Sequence, residues 1–385
     1  MIEATSQVPV KAKPVFVISS FRTSSTWLWD KLRRLPDCVA YYEFFNDFLK
    51  NFDGKAASGL HYSISTWTTK HPPSAPYFLE FLPLCRDGGG ISGYEESMAF
   101  DRFIPSAGMD GDLSEAEQLY IGRLISHAQS LTKTPILTCT RTLGRTRAIK
   151  NKIDCKVILL CRNLFHQWGS YSFQFAIGNP YFIQTINKTI FKSKHDPFIN
   201  HLDNWFSDRL EDPSDQSMFQ TFVLMHLYFY AKAYDAADVV IDVSAAAQES
   251  QLMSQAEDDI FSILGTTVDL SDIRSNFEFS SLIIKSFAAF EDSINQFTKI
   301  IVGDSGLSTA AKTFVNKIKA DTLIELERHE FYVRGRRAIE CQRVTALNQS
   351  VTTELNHLGV SLAAAKQQLI EPLPSCQVPP VYKHV

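Results

Sequence analysis

Apolar residues follow two rhythms along this chain of 385 residues. One is a set of short, nearly unbroken runs: "VFVI" at Val15 to Ile18, "TPILTCT" at 134 to 140, "CKVILLCRN" at 155 to 163 and "ADVVIDVS" at 237 to 244. They are too short for helices, and their apolar continuity predicts strands buried on both faces. The other rhythm is helical. Trp27, Leu28, Leu32 and Leu35 recur at helical spacing until Pro36-Asp37 closes the pattern. Leu113-Ser114-Glu115 opens a second helix through about Ser130, with Leu119, Leu124 and Ile125 on its apolar face. "CVAYYEFF" reads as a further strand, "LGRTRAIKNKI" as a short helix, and 165 to 235 as a long aromatic-rich helical region. A later helix ends at "FSILG", where Gly265 suits a C-cap. Buried strands alternating with helices predict an α/β domain around a parallel sheet.

The remaining segments set the organisation. Residues 51 to 112 mix Gly, Ser, Pro and aromatics without a sustained period and predict an irregular insertion with short helices. From about 280 onward the pattern is helical. Between Leu347 and Leu369, apolar residues at 351, 355, 358, 362, 365 and 369 step as a heptad seam would, which suits packing on the chain's own domain or a homodimer contact through these helices. The expected division is an N-terminal extension 1–14, an α/β domain 15–300, a helical C-terminal region 301–370 and a Pro-rich tail 371–385.

Composition narrows the function. A 45% hydrophobic chain of this length can bury a large core, and a net charge of −4 provides no general attraction for nucleic acid. Any anion must therefore be bound by local groups. The seven cysteines are scattered without C-x-x-C pairs, as expected of reduced thiols. "MIEATSQVPVKAKP" has no apolar leader region, which predicts a cytoplasmic protein, and no window approaches the roughly 20 apolar residues of a membrane span. "GGGISG" at Gly88 to Gly93 fits a dinucleotide fingerprint only in its letters, because "LPLCRD" stands where a strand should enter. "HDPFINH" at His195 to His201 is too loosely spaced for a metal site, so metal-free chemistry is expected.

The chemical interest centres on "SSFRTSSTW", Ser19 to Trp27, between the first strand and the first helix. A helix N-terminus after a buried strand offers backbone N–H groups and the positive end of the helix dipole. Ser19, Ser20, Thr23, Ser24, Ser25 and Thr26 add hydroxyls, and Arg22 adds a planar fixed charge. The stretch predicts a phosphate or sulfate cradle, whereas an ordinary Ser/Thr helix cap is the simpler alternative. It lacks the Lys of an ATP-binding P-loop.

This stretch resembles the 5′-phosphosulfate loop of sulfotransferases that use 3′-phosphoadenosine 5′-phosphosulfate (PAPS), in which Pro-Lys/Arg-Ser-Gly-Thr-Thr-Trp follows the first strand. Arg22, Thr23, Ser25, Thr26 and Trp27 match; Phe21 stands for the Pro and Ser24 for the Gly. A second element matches independently. "VILLCRNLFHQWGSY" places Arg162 at a strand end and Ser170 eight residues later, as does the family's site for the cofactor's 3′-phosphate. The resemblance spans about residues 15 to 270 and is closest to the bacterial and carbohydrate-type branch. It implies a P-loop-like parallel sheet flanked by helices, with a helical C-terminal extension in this chain, PAPS as donor and adenosine 3′,5′-bisphosphate as product. Arg22, Thr23, Ser24, Ser25, Thr26, Trp27, Arg162 and Ser170 would hold the cofactor. The implied acceptor is a hydroxyl of a carbohydrate, lipid-linked glycan or small metabolite.

Glu43, in "YYEFFND", resembles the catalytic Glu of the family's Glu-Pro-Phe run, with Phe44 for the Pro, and is the expected base; Arg22 would stabilise the leaving phosphate. His166 and Asp47 are its rivals. Seven basic residues between Arg141 and Arg162, against only Asp154, would surround the cofactor strand. A P-loop-like kinase or NTPase and a non-catalytic nucleotide-binding protein are the competing classes.

Overall fold

The computed structural model describes residues 12–55, 75–274 and 280–357. The segments 56–74 and 358–385, with most of the expected heptad seam and the Pro-rich tail, lie outside the described residues. The chain divides into two compact units, Met1–Glu325 and Leu326–Val385.

The first unit is built on a five-stranded sheet in the order β2-β3-β1-β4-β5. The strands are β1 (Val15–Ile18), β2 (Cys38–Tyr42), β3 (Thr134–Cys139), β4 (Lys156–Cys161) and β5 (Val239–Asp242), and every pair is parallel. All of β1, and all but the first residue of β3 and β4, is buried, as their apolar continuity requires. The fold is therefore the α/β class expected. After β1 the chain crosses to β2 at one edge, and after β3 it crosses back over β1 to β4. The connections thus diverge around β1, and in open parallel sheets ligands bind outside the carboxyl ends of the strands at such a switch point.

The helices are α1 (Ser25–Arg33), α2 (Glu115–Ser130), α3 (Thr146–Lys152), α4 (Leu164–Ala176), α5 (Tyr181–Lys192), α6 (Pro197–Trp205), α7 (Gln216–Tyr234), the single turn α8 (Val243–Ala246), α9 (Ser250–Leu264), α10 (Phe287–Val302) and α11 (Thr309–His357). Their starts follow local chemistry. Ser114 and Glu117 form a reciprocal capping box on α2, and Asp215 caps α7. Gly265 closes α9 at φ 68°. One expectation fails on α2: Leu119 is exposed, and the buried stripe is Tyr120, Ile121, Leu124 and Ala128. Glu117, buried and paired with Arg145, belongs to that inward face, which leaves Leu119 on the solvent side.

The glycines of "GGGISG" form a tight turn, with Gly88, Gly89, Gly90 and Gly93 at positive φ. A Cβ on Gly90 would meet the Lys50 carbonyl oxygen at 2.3 Å, so glycine is required there by close packing. A short 3-10 turn at Glu96–Met98 follows, not a dinucleotide-binding helix.

Candidate functional site

Four sequence segments converge at the carboxyl ends of the strands. They are the loop after β1, Glu43 after β2, Thr140 to Thr142 after β3, and Arg162 after β4. Ser19 N donates to the Cys139 carbonyl, which joins the first and third of them.

The loop after β1 is not an ordinary helix cap. Ser24 occupies the N-cap position of α1 in the left-handed region, at φ 62°, and its side chain makes no capping hydrogen bond. Arg22 is also left-handed, at φ 63°. Left-handed residues in alternation turn successive N–H groups toward a common concavity, the geometry of backbone anion nests. Ser24 thus adopts the conformation that the glycine of the resembling motif adopts without cost. The hydroxyls flanking it hold the loop in shape: Thr23 Oγ1 donates to the Ser20 carbonyl at 2.7 Å, and Thr26 Oγ1 pairs with the Tyr42 hydroxyl at 2.6 Å. Trp27 is pinned by its Nε1, which donates to Asp272 Oδ1 at 3.1 Å. Ser25 is buried beside them.

The two motifs meet. Arg22 Nε donates to Ser170 Oγ at 2.8 Å, and Arg162 Nη1 donates to the Arg22 carbonyl at 3.1 Å. Two guanidinium groups and one hydroxyl, from the loops after β1 and β4 and from α4, therefore belong to a single network. Nearby, Ser19 Oγ and Thr140 Oγ1 are buried without a hydrogen-bond partner among the described residues. Unpaired buried hydroxyls cost about 1–3 kcal/mol each, and at a ligand edge a bound anion would satisfy them.

Glu43 is only 3% exposed and stands at φ 53°. One carboxylate oxygen accepts from Thr140 N at 3.0 Å, and the other from the Arg141 guanidinium. Arg141 also donates to the Tyr181 hydroxyl at 2.6 Å and lies 3.7 Å from Asp47. Asp47 in turn is 3.8 Å from Lys188. His166 sits apart on α4, 3.4 Å from Glu325, and burial pushes its pKa down.

The basic run between Arg141 and Arg162 does not form the expected field around β4. Arg141 pairs with Glu43, Arg145 with Glu117, Arg147 with Asp110, Lys150 and Lys156 with Asp238, and Lys152 with Asp112. The acids come from distant parts of the chain, so a local count of charge could not find them. The six cysteines within the described residues are free thiols. No cluster of potential metal ligands occurs among the described residues, and His195 contacts the Pro105 carbonyl instead.

Sequence patterning missed His226. It lies on α7, 2% exposed, with Nε2 2.6 Å from Ser20 Oγ and Nδ1 2.7 Å from the Phe222 carbonyl. Gln167 Nε2 donates to both Ser20 Oγ, at 3.1 Å, and the Phe21 carbonyl, at 2.6 Å. The one local signal was a histidine inside the apolar run "VLMHLYF".

No protein-family model matches the sequence, and no curated protein matches it. Among solved structures, the sulfotransferase domain of the Synechococcus PCC 7002 olefin synthase aligns over 77% of this chain and 98% of that domain, at 12% identity and a TM-score of 0.31. A likeness of that size carries no argument about function. No helix among the described residues is long and apolar enough to cross a membrane.

Proposed function

We propose that this protein is a PAPS-dependent sulfotransferase that transfers a sulfuryl group to a hydroxyl acceptor. The observation that carries the proposal is the joining of Arg22, Ser170 and Arg162 across 2.8 and 3.1 Å. Arg162 and Ser170 suit a 3′-phosphate, and the left-handed loop of Arg22 to Ser24 suits the 5′-phosphosulfate. The missing P-loop lysine weighs against a kinase or NTPase. When bound, PAPS would supply a sulfuryl group on a phosphate leaving group.

The chain's own residues then have separable tasks. Arg22 stabilises negative charge as it develops on the leaving phosphate, which lowers the barrier more than it strengthens ground-state binding. Ser24 and its neighbours present the start of α1 to the anion. Glu43, expected as the base, is engaged by Arg141 and Thr140 N; this pairing supports a positioning role, with Glu43 fixing the guanidinium that reaches Tyr181.

The test is a thermal-shift comparison. Adenosine 3′,5′-bisphosphate should raise the melting temperature, and Mg-ATP should not. Stabilisation by Mg-ATP alone would replace this function with that of a nucleotide triphosphate enzyme, and stabilisation by neither would remove the cofactor site.

A further inference from the structure

The last described part of α11 stands in solvent. Every residue from Ile339 to Val351 is exposed, on all sides of the helix, and the apolar ones stay wet: Val344 is 58% exposed and Leu347 64%. Such a helix is weakly held by propensity alone, because most helical stability in proteins comes from packing an apolar face. The second compact unit, Leu326–Val385, contains this stretch and its continuation in sequence.

The seam that runs in the sequence from Val351 to Leu369 also extends backward. The alternating steps of three and four continue through Asn348 and Val344 to Cys341, and stop at Arg337. From Cys341 to Leu369 the pattern covers four heptads, the length that marks a coiled coil. In this phase Cys341, Asn348 and Leu355 fall at a, and Val344, Val351 and Leu358 at d. The other phase, through Val344 and Leu347, fails at Glu354 and Ser361. Because α11 is unbroken here, Cys341, Val344, Asn348 and Val351 lie on one face, successive turns apart.

We infer that this face pairs with the same face of a second copy of the chain, as a parallel, in-register, two-stranded coiled coil. Asn348 decides the occupant. Buried against an apolar side chain, its amide would lose its hydrogen bonds; against another Asn it finds both a donor and an acceptor. Only a second copy in parallel register sets Asn348 against itself, and a single Asn at a is the residue that fixes register and strand number. The flanks agree. Across a parallel pair each g residue meets the e residue five places on, so Glu340 meets Thr345 and Leu347 meets Thr352, and no like charges are brought together. The pairing is symmetric and closes at two chains. It stands independently of the sulfotransferase function proposed above.

The full chain provides the test. Analytical ultracentrifugation at micromolar concentration should give twice the single-chain mass of 43.5 kDa. A monomer, or an assembly larger than two, would overturn the pairing. Val344→Lys combined with Val351→Lys should raise the dimer dissociation constant about 10²-fold or more, since apolar burial at two layers is lost, with the far-UV spectrum still that of a folded α/β protein. A variant that dimerises as tightly as wild type would place the contact elsewhere and overturn the assignment. Cys341 reads the register. It is an exposed free thiol, and a disulfide needs Cα atoms about 4.4–6.8 Å apart, a spacing that facing a positions of an in-register parallel pair meet. Mild oxidation of wild type should give a covalent dimer whose peptide map joins Cys341 to Cys341, and Cys341→Ser should remain dimeric without that link. A dimer that forms no such link would overturn the parallel register.

Discussion

Arg22 Nε donates to Ser170 Oγ at 2.8 Å, across 148 positions of sequence. The bond ties the loop after β1 to the helix after β4, and it makes the two motifs one site. Ser170→Ala should weaken binding of adenosine 3′,5′-bisphosphate by about 1.5–3 kcal/mol, the range for hydrogen bonds to charged groups, and should leave adenosine 5′-phosphate nearly unaffected. Isothermal titration with the two nucleotides checks it.

Arg22 should act on rate more than on affinity. Arg22→Ala is expected to lower kcat by a larger factor than it raises KM for PAPS, the signature of an interaction that strengthens in the transition state. Steady-state kinetics on the variant reads this directly, and a normal kcat would return the loop to a structural role.

Ser24 pays a conformational cost at φ 62°. A left-handed residue other than glycine costs about 1–2 kcal/mol, part of which glycine returns through the entropy of the unfolded chain. Ser24→Gly should therefore stabilise the protein by up to about 1 kcal/mol, with bisphosphate binding retained. Ser24→Val, branched at Cβ, should destabilise it. Urea denaturation distinguishes the two.

The Glu43–Arg141 pair is a buried charge pair, with the two side chains 4% and 2% exposed. Removing one partner leaves the other uncompensated, so Glu43→Gln should cost about 3–5 kcal/mol of stability, and the double variant with Arg141→Met should recover part of the loss. A stability unchanged by Glu43→Gln, with turnover abolished, would restore Glu43 as the base.

His226 makes the fold acid-sensitive. Burial pushes its pKa in the folded chain down to about 4, below the ordinary histidine value of about 6.5, so the unfolded chain binds the proton more readily. Above about pH 6.5 this group has no effect; as pH falls toward 4 it removes stability, reaching about 3 kcal/mol below both values. His226→Gln should lose less stability than wild type between pH 7 and pH 4, measured by urea midpoints.

The fold was legible because its signals are local. Val15 to Ile18 and the core of β4 are apolar without interruption, and Ser114 with Glu117 announces the start of α2 within four residues. The loop after β1, proposed as the cofactor cradle, stood out for the same reason, since its residues are contiguous. What stayed hidden depends on distant partners. The basic residues of 141–162 look like a field until Glu43, Asp110, Glu117 and Asp238 fold against them. His226 looks like one polar residue in an apolar helix until Ser20, 206 positions earlier, is placed 2.6 Å from its ring.

The most direct test of the central claim is calorimetric titration of wild type and Arg162→Ala with adenosine 3′,5′-bisphosphate and adenosine 5′-phosphate. Arg162→Ala should weaken the bisphosphate by about 2–4 kcal/mol, roughly 30- to 700-fold, because a charge-assisted contact to the 3′-phosphate is lost at a partly desolvated site. Adenosine 5′-phosphate should change by no more than a few-fold. Equal losses for both ligands in a folded variant, or no bisphosphate binding by the wild type, would contradict the account.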